Sequence, residues 1–219
     1  MSAVHPLARV IEEAERGRFP RPDGRWVRAP LWRPGLEAVV AFTAHAVFCL
    51  GNDITDDRLR ELGANGYGGA HDPRLITAIA GPAGYIGSLD LLFVARRGGN
   101  ARGGALVPRP DLLNHPRVKY AASFKDDLDV FGFDDAARSA VVILGRGVAT
   151  LPELSIELEA DRRGHGEGSA LAAAALAHLP RGSLVVACVA PGNAASVRSF
   201  LHAGFTPIGS LQFLQREGA

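Results

Sequence analysis

Residues 153–169 read ELSIELEADRRGHGEGS, and this stretch decides the fold. Leu154, Ile156 and Leu158 alternate with Ser155, Glu157 and Glu159. A period of two is the mark of a half-buried strand. The strand runs into Arg163-Gly164-His165-Gly166-Glu167-Gly168, with glycine at every second position. Gly164, Gly166 and Gly168 lack a Cβ, so the backbone can turn sharply and come close to a ligand. An alanine-rich run to Leu179 follows (Ala170, Ala172 to Ala175, Ala177) and predicts a helix able to lie close on a sheet. The first N–H groups of such a helix have no intrahelical acceptor, and the helix dipole favours negative charge at the same spot. That combination suits a pyrophosphate, with Arg163 adding a positive charge beside it. A bare strand-to-helix turn would need fewer glycines.

Working outward, Leu184 to Val189 reads as a buried strand. Asn193 can cap a helix in which Val197, Phe200 and Leu201 fall on one face, and Gly204 can end that helix. Leu211, Phe213 and Leu214 offer a last strand. Upstream, Asp127 to Phe133 and Ser139 to Leu144 read as strands around an Asp134-Asp135 turn. The order from residue 127 is strand, strand, strand, helix, strand, helix, strand. The N-terminal part is less ordered in pattern. Residues 17–35, with Pro20, Pro22, Pro30 and Pro34, form an irregular lead-in, and Gly98 to Pro110 reads as a flexible connection. Between them lie a buried-type run (Ala38 to Leu50), a charged helix candidate (Asp56 to Leu62), a helix start at Asp72-Pro73 and an apolar run (Leu89 to Ala95). Both periods mix here, and no topology follows. The expected division is residues 1–105, of unread topology, and residues 106–219, which hold the glycine motif.

The chain of 219 residues is long enough for one embellished domain or two small ones. With 24 basic and 23 acidic residues its formal net charge is +1, which gives no electrostatic reason to expect nucleic acid or an anionic membrane as partner. Glu12, Glu13 and Glu15 stand where a secretory segment would be apolar, and no apolar run approaches the ~18 residues of a membrane span. A cytoplasmic location is expected. Cys49 and Cys188 both lie in apolar runs and read as small buried hydrophobes in a reducing compartment. The histidines and cysteines show no metal-ligand spacing, so no metal is expected.

Arg163-x-x-Gly166-x-Gly168 resembles the acetyl-CoA signature of the GNAT superfamily, Gln/Arg-x-x-Gly-x-Gly/Ala. Asn193-Ala194-Ala195-Ser196, then Phe200, then Gly204-Phe205 is similar to that superfamily's second signature, in which Asn opens a helix ending in Gly-Phe. The resemblance covers roughly residues 117–215. It implies an α/β (α+β) fold: a mixed, mostly antiparallel sheet flanked by helices, with a splayed strand pair holding CoA. Residues 1–105 would supply the first part of that fold plus an extension. Ile156, Glu157 and Leu158 would then lie on the strand that pairs with pantetheine. Arg163, Gly164, His165, Gly166, Glu167, Gly168 and Ser169 would cradle the pyrophosphate. Asn193, Ser196 and Phe200 would line the cofactor from the second helix, although Asn193 is equally a plain cap. Many relatives carry a Tyr where this chain has Phe200, so the proton that Tyr returns to the thiolate has no donor at that position.

Such a resemblance implies transfer of an acetyl or acyl group from acetyl-CoA to a small-molecule or peptide amine, and a homodimer is compatible with it. Acylation needs a base to take the amine's proton. Glu157 is the first candidate, by its level on the strand, and Glu153 the next; Glu159 is a third, and all three also read as solvated strand-face residues. His165 and His202 are further titratable groups. A non-catalytic acyl-CoA-binding module is the alternative. A dinucleotide-binding oxidoreductase is weaker, since no Asp or Glu occurs from Ser169 to Arg216 to hold a ribose.

Overall fold

The computed structural model describes residues 4–98 and 104–216, so part of the expected flexible connection lies outside the described residues. The chain divides into two compact units, Met1–Leu92 with Ile208–Ala219, and Phe93–Pro207. The boundaries therefore differ from the 105/106 division expected from the glycine-rich break. Two strands explain the difference, because each runs across a unit boundary: β4 (Tyr85–Arg96) and β10 (Thr206–Gln215).

The first unit holds α1 (Pro6–Glu15), β1 (Trp26–Ala29), β2 (Glu37–Phe42), β3 (His45–Cys49), α2 (Asp56–Glu61) and α3 (Pro73–Ala80). Its strands run in the order β1-β3-β2-β10-β4. The run from Ala38 to Leu50 is a hairpin, with Phe42 paired to His45 across a two-residue turn. Thr43 and Ala44 carry no glycine or asparagine signal, yet Ala44 takes φ 50°, and this hid the turn. Residues 17–35 are not wholly irregular, since β1 lies within them and pairs in parallel with β3. Leu59 from α2 and Leu75, Ile76 and Ile79 from α3 form a core with Val39, Phe48 and Leu214. Asp72 caps α3 by accepting from the Arg74 N–H at 2.8 Å.

The second unit holds the end of β4, then β5 (Val107–Pro108), α4 (Pro116–Ala122), β6 (Asp126–Gly132), β7 (Val141–Arg146), β8 (Pro152–Glu157), α5 (Glu167–His178), β9 (Leu184–Val189) and α6 (Ala194–His202). The strand–strand–strand–helix–strand–helix–strand order from residue 127 is thus present. Its strands run β4-β9-β8-β7-β6-β5, so the N-terminal region contributes the strand beside β9. The β5–β6, β6–β7 and β7–β8 pairs are antiparallel, and β8–β9 is parallel. Cys49 is buried as expected, whereas Cys188 on β9 is half-buried.

Register assigns each side chain of β8 to a face. Glu157, Ser155 and Glu153 pair with Val141, Ile143 and Gly145; Ile156 and Leu154 pair with Val142 and Leu144. Paired residues project to the same side. Val141 and Ile143 pack with Val118 and Ala121 of α4. The opposite face carries Phe131, paired with Val142, whose ring centre lies 4.4 Å from that of His178 at the end of α5. Helices α4 and α5 therefore cover opposite faces. The polar set Glu153, Ser155 and Glu157 looks to α4, and the apolar set Leu154 and Ile156 looks to α5.

Candidate functional site

Strands β8 and β9 are parallel and in register at one pair among the described residues, Glu153 with Val186. The loop that leaves β8 turns into α5 through two glycines in the left-handed region, Gly164 at φ 86° and Gly166 at φ 82°. A Cβ at either would stand in open space, so space does not demand glycine there; the backbone conformation does. Gly168 serves a different purpose. A Cβ there would come 2.7 Å from the Ser199 Oγ, so glycine lets α5 lie close against α6. Among the described residues, the backbone N–H groups from Gly164 to Gly168 have no protein acceptor, and Ser169 is the first to donate, to the Gly166 carbonyl at 3.1 Å.

Gly164, Gly166 and Gly168 of this segment line a cleft of about 560 Å³, of the size that holds small ligands and cofactors. Ile156, Leu158, Arg163, Gly164, Gly166, Gly168 and Ser169 line it from β8, its loop and α5; Asn193, Ser196 and Ser199 line it from α6. All lie on the α5 face or on the loop leading to it. Glu157, from the α4 face of β8, and Arg117, from α4 itself, also line it. The cleft is thus bounded by residues from both faces of the sheet at the end of β8. Three arginines, Arg117, Arg163 and Arg198, face the single carboxylate of Glu157, which makes the cleft a place for anions.

Of the residues expected here, ten line the cleft: Ile156, Glu157, Leu158, Arg163, Gly164, Gly166, Gly168, Ser169, Asn193 and Ser196. Asn193 caps α6, its Oδ1 accepting from the Ser196 N–H at 3.1 Å, and the cap leaves its NH₂ group unengaged among the described residues. Arg163 folds back so that Nε and Nη2 donate to the Leu158 carbonyl at 3.3 and 3.2 Å. His165, Glu167, Phe200 and Glu153 are not part of the lining. Phe200 is 3% exposed, its ring centre 6.1 Å from Phe93 and 5.0 Å from Phe205, and it serves as a core anchor. Glu167 turns to Arg138, whose Nη2 donates to it at 2.7 Å.

Arg138 organises the loop. It also donates to both carboxylate oxygens of Glu159, at 2.9 and 3.2 Å, so one guanidinium holds Glu159 and Glu167 at the two ends of the segment 160–166. Glu159 further accepts from the N–H groups of Ser139 and Ala140 at 2.7 and 2.9 Å. The Arg138 hydrogen bonds pull its carboxyl down to a pKa of about 2. Glu153 is sealed away instead. It is 4% exposed, ion-paired with Lys125 at 3.1 Å, and accepts from the Val148 N–H at 3.0 Å. Lys125 Nζ also donates to Ser155 Oγ at 2.5 Å. The first half of β8 is therefore buried on both faces, where the alternating pattern predicted one. The pattern could not show Lys125, 28 positions before Glu153, closing over the polar face. Nor did local spacing signal Arg117, Arg198 and Ser199 as lining residues; their places follow from α4 and α6 packing across the strands.

Among the described residues no group of three or more His, Cys, Asp or Glu side chains is placed to hold a metal ion, and no helix is long and apolar enough to cross a membrane. No protein-family model matches the chain, and no curated protein matches it. Solved structures are similar to it. One is an acetyltransferase from the GNAT family of Colwellia psychrerythraea, at 14% identity and TM-score 0.41, over 61% of this chain and 57% of that one. Another is a GCN5-related N-acetyltransferase from Kribbella flavida, at 14% identity and TM-score 0.42, over 66% and 63%. A third, from Novosphingobium aromaticivorans, is assigned to the GNAT family as an acetyltransferase, at 17% identity and TM-score 0.43, over 62% and 69%. The chain thus spans less than two thirds of the first two, and its likeness to all three is one of fold alone.

Proposed function

We propose that this chain is an acyl-CoA-dependent N-acyltransferase, transferring an acetyl or acyl group from acetyl-CoA to an amine. The observation that carries this reading is the cleft at the end of β8, between the glycine loop and α6. It brings together the unmet backbone N–H groups of Gly164, Gly166 and Gly168, an excess of arginines and one carboxylate, Glu157. Such donors at a helix start suit a pyrophosphate. The second signature adds to this: Asn193 has a donor to spare at the same cleft.

The thioester supplies an activated acyl carbon. The chain's residues do the rest. The loop N–H groups and Arg163 bind the phosphates, the backbone of Ile156 and Glu157 pairs with the pantetheine amides, and Glu157 takes a proton from the amine. The C–N bond forms as the C–S bond breaks, and the thiolate leaves with the proton returned from the base or from solvent. Phe200, buried without a hydroxyl, cannot return it. The test is a thermal-shift titration with acetyl-CoA, CoA and NADH. Ligands that bind only the native state raise its stability. Acetyl-CoA and CoA should stabilise and NADH should not; the reverse pattern would remove the acyltransferase reading.

A further inference from the structure

Two arginines of this unit show what a fully committed guanidinium looks like. Arg109 donates to the carbonyls of Phe133, Asp135 and Arg138 and pairs with Asp111; Arg138 holds two carboxylates. Arg117 is different. It lines the cleft from α4, its Nε is buried without a hydrogen-bond partner, and among the described residues no Asp or Glu lies within 4.0 Å of it. Its guanidinium carbon lies 5.4 Å from the centre of the Tyr120 ring, a contact that attracts the cation but accepts none of its in-plane N–H bonds. The residue as a whole is half-buried, but a buried N–H donor costs free energy unless an acceptor meets it. An anionic group arriving with a ligand in the cleft would supply that acceptor.

Two anions could reach the cleft: the phosphates of the acyl carrier and an acid group on the acceptor. The geometry separates them. The phosphate cradle belongs to α5, on the Leu154/Ile156 face of β8. Arg117 belongs to α4, on the Glu153/Ser155/Glu157 face, where Glu157 stands to receive the amine's proton. We infer that Arg117 binds a carboxylate of the acceptor, and that the acceptor class is amines carrying an acid group beside the amine, of the amino-acid type. This rests on the acyltransferase reading above. An ammonium beside Glu157 and a carboxylate on Arg117 would match an amino acid's two charges to two fixed opposite charges in the cleft. A guanidinium binds a carboxylate through two parallel hydrogen bonds, a geometry that an ammonium cannot reproduce.

The experiment uses the full chain and matched pairs that differ only in the acid group: phenylalanine and phenethylamine, tyrosine and tyramine, ornithine and putrescine. Thiol release from acetyl-CoA is measured for wild type, Arg117→Ala and Arg117→Lys. The carboxylated member should lead each productive pair by about tenfold or more in kcat/KM, the scale of a hydrogen bond between charged groups. Arg117→Ala should erase that lead, Arg117→Lys should keep part of it, and neither should change CoA affinity by calorimetry. In parallel, ligand-observed NMR on CoA-saturated protein compares the N-acetyl amino acids with the N-acetyl amines. Binding of at least one acid, lost in Arg117→Ala, is expected. The inference is overturned if no acid binds, if neutral amines do as well, or if Arg117→Ala weakens CoA itself, which would assign the guanidinium to the carrier's phosphates. Failure of CoA to bind wild type at all would instead remove the acyltransferase reading.

Discussion

Glu153 and Glu157 stand on one face of one strand, yet they occupy opposite environments. Glu153 is buried, paired with Lys125 at 3.1 Å and bonded to the Val148 N–H. Glu157 lines the cleft, and its nearest cation, Arg163, lies 3.9 Å away with both partners substantially exposed. The same contrast separates the two ends of β8: one end has its polar groups met by protein, the other leaves donors and charges unmet. A met polar group is part of the fold. An unmet one beside a cleft is where a ligand would complete the structure.

The sealed end gives the largest expected effect. Glu153→Ala leaves the Lys125 ammonium buried beside Ser155 alone and should cost about 3–5 kcal/mol, read from urea unfolding. Replacing both partners with apolar residues (Lys125→Met with Glu153→Leu) should recover most of that. A single-variant loss below about 1 kcal/mol would mean that the pair is not sealed, and the contrast would collapse. Next is the open end's loop. Gly166→Val places a β-branched side chain at φ 82°, costing roughly 1–2 kcal/mol of strain, and sets methyls in the cleft. CoA affinity should fall by roughly 100-fold, about 3 kcal/mol. Wild-type affinity in a folded variant would make Gly166 a turn residue only.

Glu157→Gln tests the other half of the contrast. Stability should stay within about 0.5 kcal/mol, as for an exposed substitution. Turnover on a productive amine should fall by roughly 100-fold at neutral pH, with the loss shrinking at high pH, where the amine needs no base. If Glu153→Gln changed the pH–rate profile and Glu157→Gln did not, the two roles would be exchanged.

The smallest effect concerns Arg138 and Glu159. The folded pKa of Glu159, about 2, lies below its ordinary 4.5, so its contribution to stability is present above pH 4.5 and is lost as pH falls towards 2. Arg138→Gln should reduce stability by on the order of 2 kcal/mol above pH 5, with the two proteins converging near pH 2. Unfolding curves from pH 6 to 2.5 measure this. Parallel curves would show that Arg138 does not hold the loop through Glu159.

Much of the second unit was legible because its signals are local. Alternation marks β8, glycine marks positive φ at residues 164 and 166, and a side-chain cap marks the start of α6 at Asn193. Such features depend on neighbours within about four positions, so residues 127–215 could be read in order. The hairpin at Thr43-Ala44 escaped because a non-glycine residue adopts the left-handed region there, held by tertiary contacts: the Ala44 carbonyl accepts from the Gly24 N–H at 2.9 Å.

Local pattern by itself determined the strand, the glycine loop and the two helices; the ten expected residues that line the cleft were named through the resemblance of the two motifs to known signatures. Tertiary structure alone decided which carboxylate is buried and which is open. Lys125 reaches Glu153 across 28 positions, and Arg138 reaches Glu159 and Glu167 across 21 and 29. Alternation assigns a residue to a face but does not say what covers that face. Cover comes from elements distant in the chain, and solvation, ion pairing and the opposing places of Arg117 and the glycine loop all depend on it.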